Sequence, residues 1–283
     1  IYKRVGGHDI RADLYMVEKN NAPVIIYIHG GGMILGSRKD IFLEQAKLYN
    51  NAGFNIVSID YRLAPETKLG EIIRDIGDAL DWVRIECKKK YKMDTDKLAV
   101  IGSSAGAYLA LMTGTFANKP KAIVSFYGYG DLLADWANKP SSFYRQKTII
   151  SRQDADNYVN NKVISEGGRE RWLYYLHCRQ EASWIQEVSG FNPALFPEKI
   201  GALSPIYRMG WDYPPTILLH GTEDKDVPLE ASLSVKEKLD QIKVANQFIV
   251  LEGLEHDFDY DMKDCQVRKA FEEVISFLQN YLI

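Results

Sequence analysis

The sequence predicts an α/β protein with a mostly parallel central sheet of about eight strands and helices on both faces. Short apolar runs of strand length recur along the chain, and stretches with apolar residues at helical spacing separate them. Strands that alternate with helices favour a parallel sheet covered on both sides. Because ligands of such sheets bind at the carboxyl ends of the strands, the residues that follow each strand are the first candidates for function.

The first 130 residues carry the clearest alternation. Residues 2–16 alternate loosely around Gly6-Gly7, which is typical of a β-hairpin. Buried strands are predicted in the apolar runs "PVIIYIHGGG" (23–32), "FNIVSID" (54–60), "KLAVIGS" (97–103) and "KAIVSFYG" (121–128). Helices are predicted at 38–52, 70–92 and 105–117.

The alternation stops at residues 130–210, which are rich in Trp, Tyr and Arg and contain no clear strand. It resumes with strands at 215–221 and 246–252 and helices at 229–242 and 263–282. An insertion of about eighty residues is too long for a plain loop. We therefore expect a helical, cap-like insertion over the carboxyl edge of the sheet, within one domain of residues 1–283.

Composition excludes several classes of protein. A net charge of −3 gives no reason to expect binding to nucleic acid or to an anionic membrane. No apolar run approaches the roughly 18–20 residues of a membrane span. Three separated cysteines lack metal-ligand spacing and favour a reducing compartment, so we expect a cytoplasmic protein. The chain starts at Ile1, which leaves a removed leader open, and a homodimer is also left open.

Residues 101–108, Ile-Gly-Ser-Ser-Ala-Gly-Ala-Tyr, follow a predicted strand and open a predicted helix. Within them, Gly102-Ser103-Ser104-Ala105-Gly106 fits the pattern G-x-S-x-G, centred on Ser104. In this setting a tight turn lifts the serine hydroxyl clear of the sheet. The pattern predicts Ser104 as a nucleophile and Ser103 as a packing residue, although alone it also fits a glycine-rich turn without chemistry.

A second glycine cluster, His29-Gly30-Gly31-Gly32, comes straight after an earlier strand. Glycines let the backbone approach a ligand, and acyl transfer needs N–H donors for its oxyanion. We expect these donors in the 30–32 loop and at Ala105. His29 ends the strand, so we interpret it as a structural hydrogen-bonding residue. Phosphate binding is disfavoured because neither G-x-G-x-x-G nor G-K-[ST] is present.

A serine nucleophile needs a base, and in the chain order of such turns the histidine follows the serine and the acid. Only His177, His220 and His256 come after Ser104. His177 falls in the insertion, and His220 ends a strand and should shape the turn that follows. His256, in "GLEHDF", comes just after the last predicted strand. We therefore predict His256 as the base.

The acid that orients this base should lie between the serine and the histidine, on a loop after a strand. The loop "HGTEDKDVP" (220–228) offers Glu223, Asp224 and Asp226. We predict Asp224, which would hold the imidazole tautomer and stabilise the imidazolium, with Asp226 as the alternative.

Acidic residues surround His256 at positions 252, 255, 257, 259 and 261. We interpret them as a solvated acidic loop and expect no metal site, because one histidine is present and no ligand spacing matches. Their charges should raise the pKa of His256, which places the acidic limb of activity above about pH 6.5.

Together these motifs resemble the α/β-hydrolase superfamily, and within it the carboxylesterases of the hormone-sensitive-lipase-like group and their feruloyl-esterase-like relatives. The resemblance rests on His29-Gly30-Gly31-Gly32, on "DYRLAPE" (60–66), on the G-x-S-x-G turn, on Asp224 and on His256. It covers about residues 20–283 apart from the insertion. One departure is the context of the acid, which is closer to dienelactone hydrolases and prolyl peptidases.

The resemblance implies an α/β-hydrolase fold with a Ser104 nucleophile, a His256 base and an Asp224 orienting acid. It also implies oxyanion donors at Gly31, Gly32 and Ala105, and a structural role for residues 60–66 beside the site. No cofactor is implied.

We therefore predict a carboxylesterase or lipase-like serine hydrolase that cleaves a small carboxylic ester through an acyl-enzyme. Met33, Ile34, Tyr127 and Tyr129 are expected in the pocket walls, although they fit core positions equally well. Two alternatives stay open. One is an amidase, such as an arylformamidase, or a small peptidase, and the other is a non-catalytic binding protein on a hydrolase scaffold.

Overall fold

A seven-stranded sheet forms the centre of the computed structural model, which describes residues 1–283. The strands are β1 (Lys3–Val5), β2 (His8–Ile10), β3 (Ala12–Tyr15), β4 (Pro23–Ile28), β5 (Asn55–Ile59), β6 (Asp94–Ser103), β7 (Ala122–Phe126), β8 (Thr216–Gly221) and β9 (Asn246–Leu251). The sheet order is β3-β5-β4-β6-β7-β8-β9, with only β3 antiparallel to its neighbour. The predicted α/β class with a mostly parallel sheet is therefore confirmed.

The central sheet has seven strands, close to the expected number of about eight. The first two of the nine strands in the chain lie outside it. β1 and β2 form a separate hairpin whose turn, Gly6-Gly7, has positive φ angles of 55° and 83°. These three-residue strands pair with each other, and Lys3 of β1 is tied to Asp75 by an ion pair. β3, which the sequence placed in the same hairpin, instead pairs antiparallel with β5 at the edge of the sheet.

Helices cover both faces of the sheet. They are α1 (Leu43–Asn51), α2 (Leu69–Trp82), α3 (Lys88–Tyr91), α4 (Ala105–Thr113), α5 (Asp135–Asn138), α6 (Arg152–Asp156), α7 (Trp172–Gln180), α8 (Trp184–Ser189), α9 (Pro197–Leu203), α10 (Leu229–Gln241) and α11 (Cys265–Leu282). A π-helical turn, Val83–Cys87, joins α2 to α3. No helix combines the length and the apolar character that a bilayer crossing needs.

The pleat of β4 explains why its apolar run is uninterrupted. Val24, Ile26 and Ile28 belong to the larger of two buried clusters, and Ile25 and Tyr27 belong to the other. Successive side chains of a strand point to opposite faces, so the two clusters lie on the two sides of the sheet. The larger cluster takes in residues of α2, α4 and α10, and the smaller takes in residues of α1 and α11.

The insertion (residues 130–210) contains α5 to α9 and contributes no strand to the sheet, as expected. Its Tyr174 and Trp184 are buried in the same cluster as Val24 of β4. A single bridge joins Gly167 to Gly36, in the loop that follows β4. The insertion therefore packs against the loops at the carboxyl ends of the strands, where the candidate residues are found.

Candidate active site

Ser104 occupies a strained turn between β6 and α4. Its backbone has φ 54° and ψ −119°, a combination that non-glycine residues rarely adopt and that costs about 1–3 kcal/mol. The turn is held by two backbone bonds, from Ser104 N to Phe126 O and from Tyr108 N to Ser104 O, each 3.0 Å long. Packing of the sheet and the helix thus stabilises an otherwise unfavourable backbone conformation at Ser104.

Glycine at position 106 is required by the close approach of α4 to the sheet. A Cβ atom here would overlap the carbonyl of Ile28 at the end of β4. The second glycine of the G-x-S-x-G pattern therefore lets the helix that carries Ser104 sit directly against the strand that leads into the 30–32 loop.

Three residues of the predicted set meet in a hydrogen-bonded chain. His256 Nε2 lies 3.1 Å from Ser104 Oγ, and His256 Nδ1 lies 2.6 Å from Asp224 Oδ2. These residues follow β6, β8 and β9, whose carboxyl ends share one edge of the sheet. A hydroxyl, an imidazole and a carboxylate are thereby linked by hydrogen bonds in one chain.

The carboxylate of Asp224 is held on both of its oxygens. Oδ1 accepts the N–H groups of Asp226 and Val227 at 2.9 Å each. Oδ2, which faces His256, also lies 3.3 Å from Nε2 of the buried His220. His220 reaches Val227 O at 2.9 Å through the same nitrogen. His220, predicted to shape this turn, therefore stabilises the loop of residues 220–228 that carries Asp224.

Charges around His256 favour its protonated form. Burial lowers its pKa, but the hydrogen bond with Asp224 and the negative charges of Asp226, Asp224 and Asp257 outweigh burial and raise the pKa to about 9. Burial alone would raise the pKa of the Asp224 carboxyl. Its bonds with His220 and His256 outweigh burial and hold that pKa well below the usual range. Asp224 therefore stays ionised, and the ring of His256 becomes neutral only at alkaline pH.

The peptide groups of the 30–32 loop are oriented through their carbonyl oxygens. Gly30 O accepts bonds from His29 Nδ1 at 2.9 Å and from the Tyr61 hydroxyl at 3.1 Å. Gly31 O accepts the N–H groups of Ile34 and Leu35 at 2.9 and 3.0 Å. In a trans peptide the N–H points opposite to the C=O, so these bonds also fix the N–H directions of Gly31 and Gly32.

The N–H groups of Gly31 and Gly32 donate to no backbone carbonyl, and both residues line the same cleft as Ser104. Ala105 is the first residue of α4, so its N–H belongs to the unsatisfied donors of a helix N-terminus. Free donors with fixed directions beside the serine are what an oxyanion requires.

His29 has the structural place expected for it. It is fully buried, its ring stacks on Tyr61 with centroids 4.2 Å apart, and Nδ1 donates to Gly30 O. Burial lowers its pKa to about 4, so the ring is neutral.

Residues 60–66 tie the site to its surroundings through buried ion pairs. Asp60 pairs with Arg38 at 2.6 Å, and Arg62 pairs with Asp75 at 2.7 Å. Glu66 pairs at 2.7 Å with Arg171 of the insertion. This segment, expected to be structural, therefore connects the loop after β4, helix α2 and the insertion.

A cleft of about 920 Å³ contains Ser104 and His256 and is lined mostly by glycine, polar and charged residues. Tyr127, an expected wall residue, lines it, but Met33, Ile34 and Tyr129 do not. Met33 has φ 63° in the turn after the glycines, and both Met33 and Ile34 are fully buried in the core. Tyr129 stacks on Tyr108 at 5.3 Å. We therefore correct the expectation for these three residues: Met33, Ile34 and Tyr129 belong to the core and not to the wall of the cleft.

One residue of the acidic loop around His256 is not solvated as expected. Asp259 is buried, and its carboxylate accepts bonds from Tyr127 and, at 3.2 Å, from Ser103. Burial raises its pKa to about 6, although these bonds oppose the shift. Asp259 thus connects the His256 loop to Ser103, the residue before Ser104. No group of three or more His, Cys, Asp or Glu side chains is arranged to hold a metal ion.

Sequence reasoning missed the residues of the insertion that reach the site. Tyr175 packs on Gly32, where a Cβ would lie 2.5 Å from its ring, and its hydroxyl donates to Asp226 at 2.8 Å. Arg179 donates to the same Asp226 oxygen at 2.6 Å. Trp184 Nε1 donates to Gly32 O at 3.0 Å. The only signal in the sequence was the high aromatic and arginine content of this segment.

Comparison with known proteins agrees with this architecture. The family model described as BD-FAE matches residues 12–239. An α/β-hydrolase superfamily protein from Enterococcus faecalis is 25% identical, with a TM-score of 0.78 over 95% of this chain and 94% of that one. An esterase from Thermogutta terrifontis, solved with propionate bound, is 22% identical, with a TM-score of 0.70 over 99% of this chain and 92% of that one.

Curated relatives are much longer proteins. The non-reducing polyketide synthase Preu3 of Preussia isomera is 28% identical across 99% of this chain, which corresponds to 13% of the synthase. The synthase adrD of Penicillium rubens is 26% identical across 99% of this chain and 13% of its own length. The chain therefore spans 13% of the length of each of these two synthases.

Proposed function

The chain belongs to the BD-FAE family and has the α/β-hydrolase fold, and from this premise we propose that it is a serine hydrolase that cleaves small carboxylic esters. The observation that carries the proposal is the chain of contacts from Ser104 through His256 to Asp224, at 3.1 and 2.6 Å. The likeness to an esterase solved with propionate bound adds support. We further propose that residues 1–283 act as one domain, with the insertion as its cap, because both share one buried cluster.

In the proposed reaction, Ser104 Oγ attacks the acyl carbon while His256 Nε2 takes the hydroxyl proton. The N–H groups of Gly31, Gly32 and Ala105 bind the oxyanion. His256 then gives the proton to the departing alcohol, which leaves the acyl group on Ser104. Water releases the acid by the same steps in the second half-reaction.

The test is a panel of 4-nitrophenyl esters and acyl amides, run with Ser104→Ala and Ser103→Ala. We expect ester hydrolysis to fall by roughly 10⁴-fold or more in Ser104→Ala. Ser103→Ala removes the bond to Asp259, which lies outside the chain of contacts from Ser104 to Asp224, so its activity should stay within about fivefold of wild type. Loss of activity in Ser103→Ala with full activity in Ser104→Ala would refute the assignment of the nucleophile.

Two other functions give different results in the same experiments. Faster turnover of amides than of esters would identify an amidase or small peptidase. A fluorophosphonate probe labels an activated serine, so a folded chain that does not label would point to a binding protein.

A further inference from the structure

Asp226 presents an unused carboxylate oxygen to the reaction centre. Its Oδ1 accepts the Tyr175 hydroxyl at 2.8 Å and Arg179 Nη1 at 2.6 Å. Its Oδ2 has no hydrogen-bond partner in the protein and lies 3.7 Å from His256 Nε2. Asp226 lines the cleft that contains Ser104. It therefore faces the nitrogen that exchanges protons with the substrate, whereas Asp224 holds the opposite nitrogen.

A separation of 3.7 Å is too long for a direct hydrogen bond, but two polar atoms at this distance can share one water molecule. In the free enzyme Ser104 Oγ occupies the contact with Nε2. Once Oγ carries the acyl group it has no proton to give, so Nε2 becomes free to accept one from water. A water bound there would have its second O–H free to point towards Asp226 Oδ2.

We propose that Asp226 binds the water that hydrolyses the acyl-enzyme, an inference that rests on the proposed serine hydrolase function. One O–H bond of this water breaks as Nε2 takes the proton and the oxygen bonds to the acyl carbon. The second O–H stays intact and donates to Asp226 Oδ2. The tetrahedral intermediate then expels Ser104 Oγ, which receives the proton from Nε2, and the carboxylic acid leaves.

The surroundings of Asp226 suit this task. Arg179 is buried, and its Nη2 also binds the Asp226 carbonyl at 2.9 Å, so the carboxylate is paired with a cation and fixed in direction. The two donors hold Oδ1, and the other oxygen, Oδ2, lies on the side of His256 Nε2, 3.7 Å away. A paired carboxylate can accept a hydrogen bond there without strongly opposing the oxyanion.

Competition between water and methanol tests the proposal. Water has two protons, whereas methanol has one, which His256 must take, so only water can also donate to Asp226. The ratio of free acid to methyl ester is measured for 4-nitrophenyl butyrate at several methanol concentrations. In Asp226→Asn, Tyr175 and Arg179 select the amide oxygen and leave the NH₂ group facing the cleft. We expect this variant to lower the ratio about tenfold.

Asp257→Asn is the matched control. Asp257 also lines the cleft and contributes to the raised pKa of His256, but it has no contact with the ring nitrogens within 4.0 Å. Its ratio should equal that of wild type. Both products arise from one acyl-enzyme, so the ratio does not depend on how much of a variant is folded.

An unchanged ratio in Asp226→Asn, or an equal fall in Asp257→Asn, would overturn the role of Asp226. Failure of the wild-type chain to form either product or to label with fluorophosphonate would instead refute the serine hydrolase function itself. The two failures are therefore distinguishable.

Discussion

The indole N–H of Trp184 donates to the carbonyl of Gly32, with 3.0 Å between Nε1 and O. A side chain of the insertion thus orients the carbonyl of Gly32, the last of the 30–32 loop. The carbonyls of Gly30 and Gly31 are instead held by residues 29–35 and by Tyr61. Tyr175 lies against the same glycine. The proposed oxyanion site is therefore completed by residues about 150 positions away in the sequence.

Replacing Trp184 by phenylalanine keeps an aromatic ring and removes this bond. The carbonyl of Gly32 then loses this donor, so the Gly32–Met33 peptide that ends the loop is held less firmly, although the bonds to Gly30 O and Gly31 O remain. We expect kcat for an ester to fall about tenfold, less than the 10²–10³ seen when a donor is deleted outright, with little change in KM. Steady-state kinetics on 4-nitrophenyl esters measure both constants.

Trp136→Phe is the control, because Trp136 packs on Trp184 at 5.8 Å and forms no bond to the loop. An equal loss of kcat in both variants would attribute the effect to packing in the aromatic cluster rather than to the orientation of Gly32.

The pH dependence of kcat/KM should reflect the charges around His256. Only the neutral ring accepts a proton, and its pKa is about 9, so activity should rise with pH through that value. Asp257→Asn removes one of the negative charges that favour the imidazolium, so the acidic limb should move to lower pH. Asp257 has φ 62°, a conformation that asparagine also tolerates.

Asp261→Asn is the matched control for this profile. Asp261 is exposed and is not among the groups that shift the pKa of His256. The acidic limb of the kcat/KM profile of Asp261→Asn should coincide with that of wild type. A wild-type limb near pH 6.5, or no movement in Asp257→Asn, would contradict the electrostatic account.

Features with local causes could be predicted from the sequence. The turn at Ser104 follows from a strand, two glycines and a helix, and the positions of Asp224 and His256 follow from their place after parallel strands. Each depends on residues within a few positions of the functional group. The fold class was predictable for the same reason, because apolar periodicity is a local signal.

Features that depend on distant contacts could not be predicted. Met33 and Ile34 follow the glycines and are apolar, so they resembled pocket walls, but the turn at Met33 directs the chain into the core. Trp184 and Arg179 come from a segment without a strand pattern, and their partners Gly32 and Asp226 lie far from them in the chain. The spacing of apolar residues along the sequence gives no information about contacts between residues so far apart in the chain.

Asp259 should make stability depend on pH. Burial raises its pKa to about 6 in the folded protein, above the unfolded value of about 3.8. Its contribution to stability is therefore greatest below pH 3.8 and is lost as pH rises through 6. Asp259→Asn removes this titration and keeps an oxygen for Tyr127. Relative to wild type, its free energy of unfolding should rise by up to about 3 kcal/mol between pH 4 and 7.

Urea unfolding at several pH values measures this difference. A difference between Asp259→Asn and wild type that stays constant with pH would mean that the buried carboxylate titrates in its ordinary range.

Arg179 and Asp226 should be strongly coupled in stability. The guanidinium is buried among Trp136, Tyr144, Tyr175 and Trp184, each 5.2–5.6 Å from its centre. Arg179→Met removes the buried cation and leaves the Asp226 carboxylate with the Tyr175 hydroxyl on Oδ1 and His256 at 3.7 Å from Oδ2, which should cost about 3 kcal/mol. Asp226→Asn should cost less, because its amide oxygen still accepts from Arg179 and the four rings still face the cation.

In the double variant Arg179→Met/Asp226→Asn neither charge is left unpaired, so its loss should be smaller than the sum of the two single losses. Denaturant unfolding of all four proteins gives the coupling energy, which we expect to be about 2 kcal/mol or more. Additive losses would show that the aromatic rings, rather than Asp226, hold Arg179 in place. The insertion would then be attached to the acid loop by packing alone, and Asp226 would lose the anchor that directs its free oxygen into the cleft.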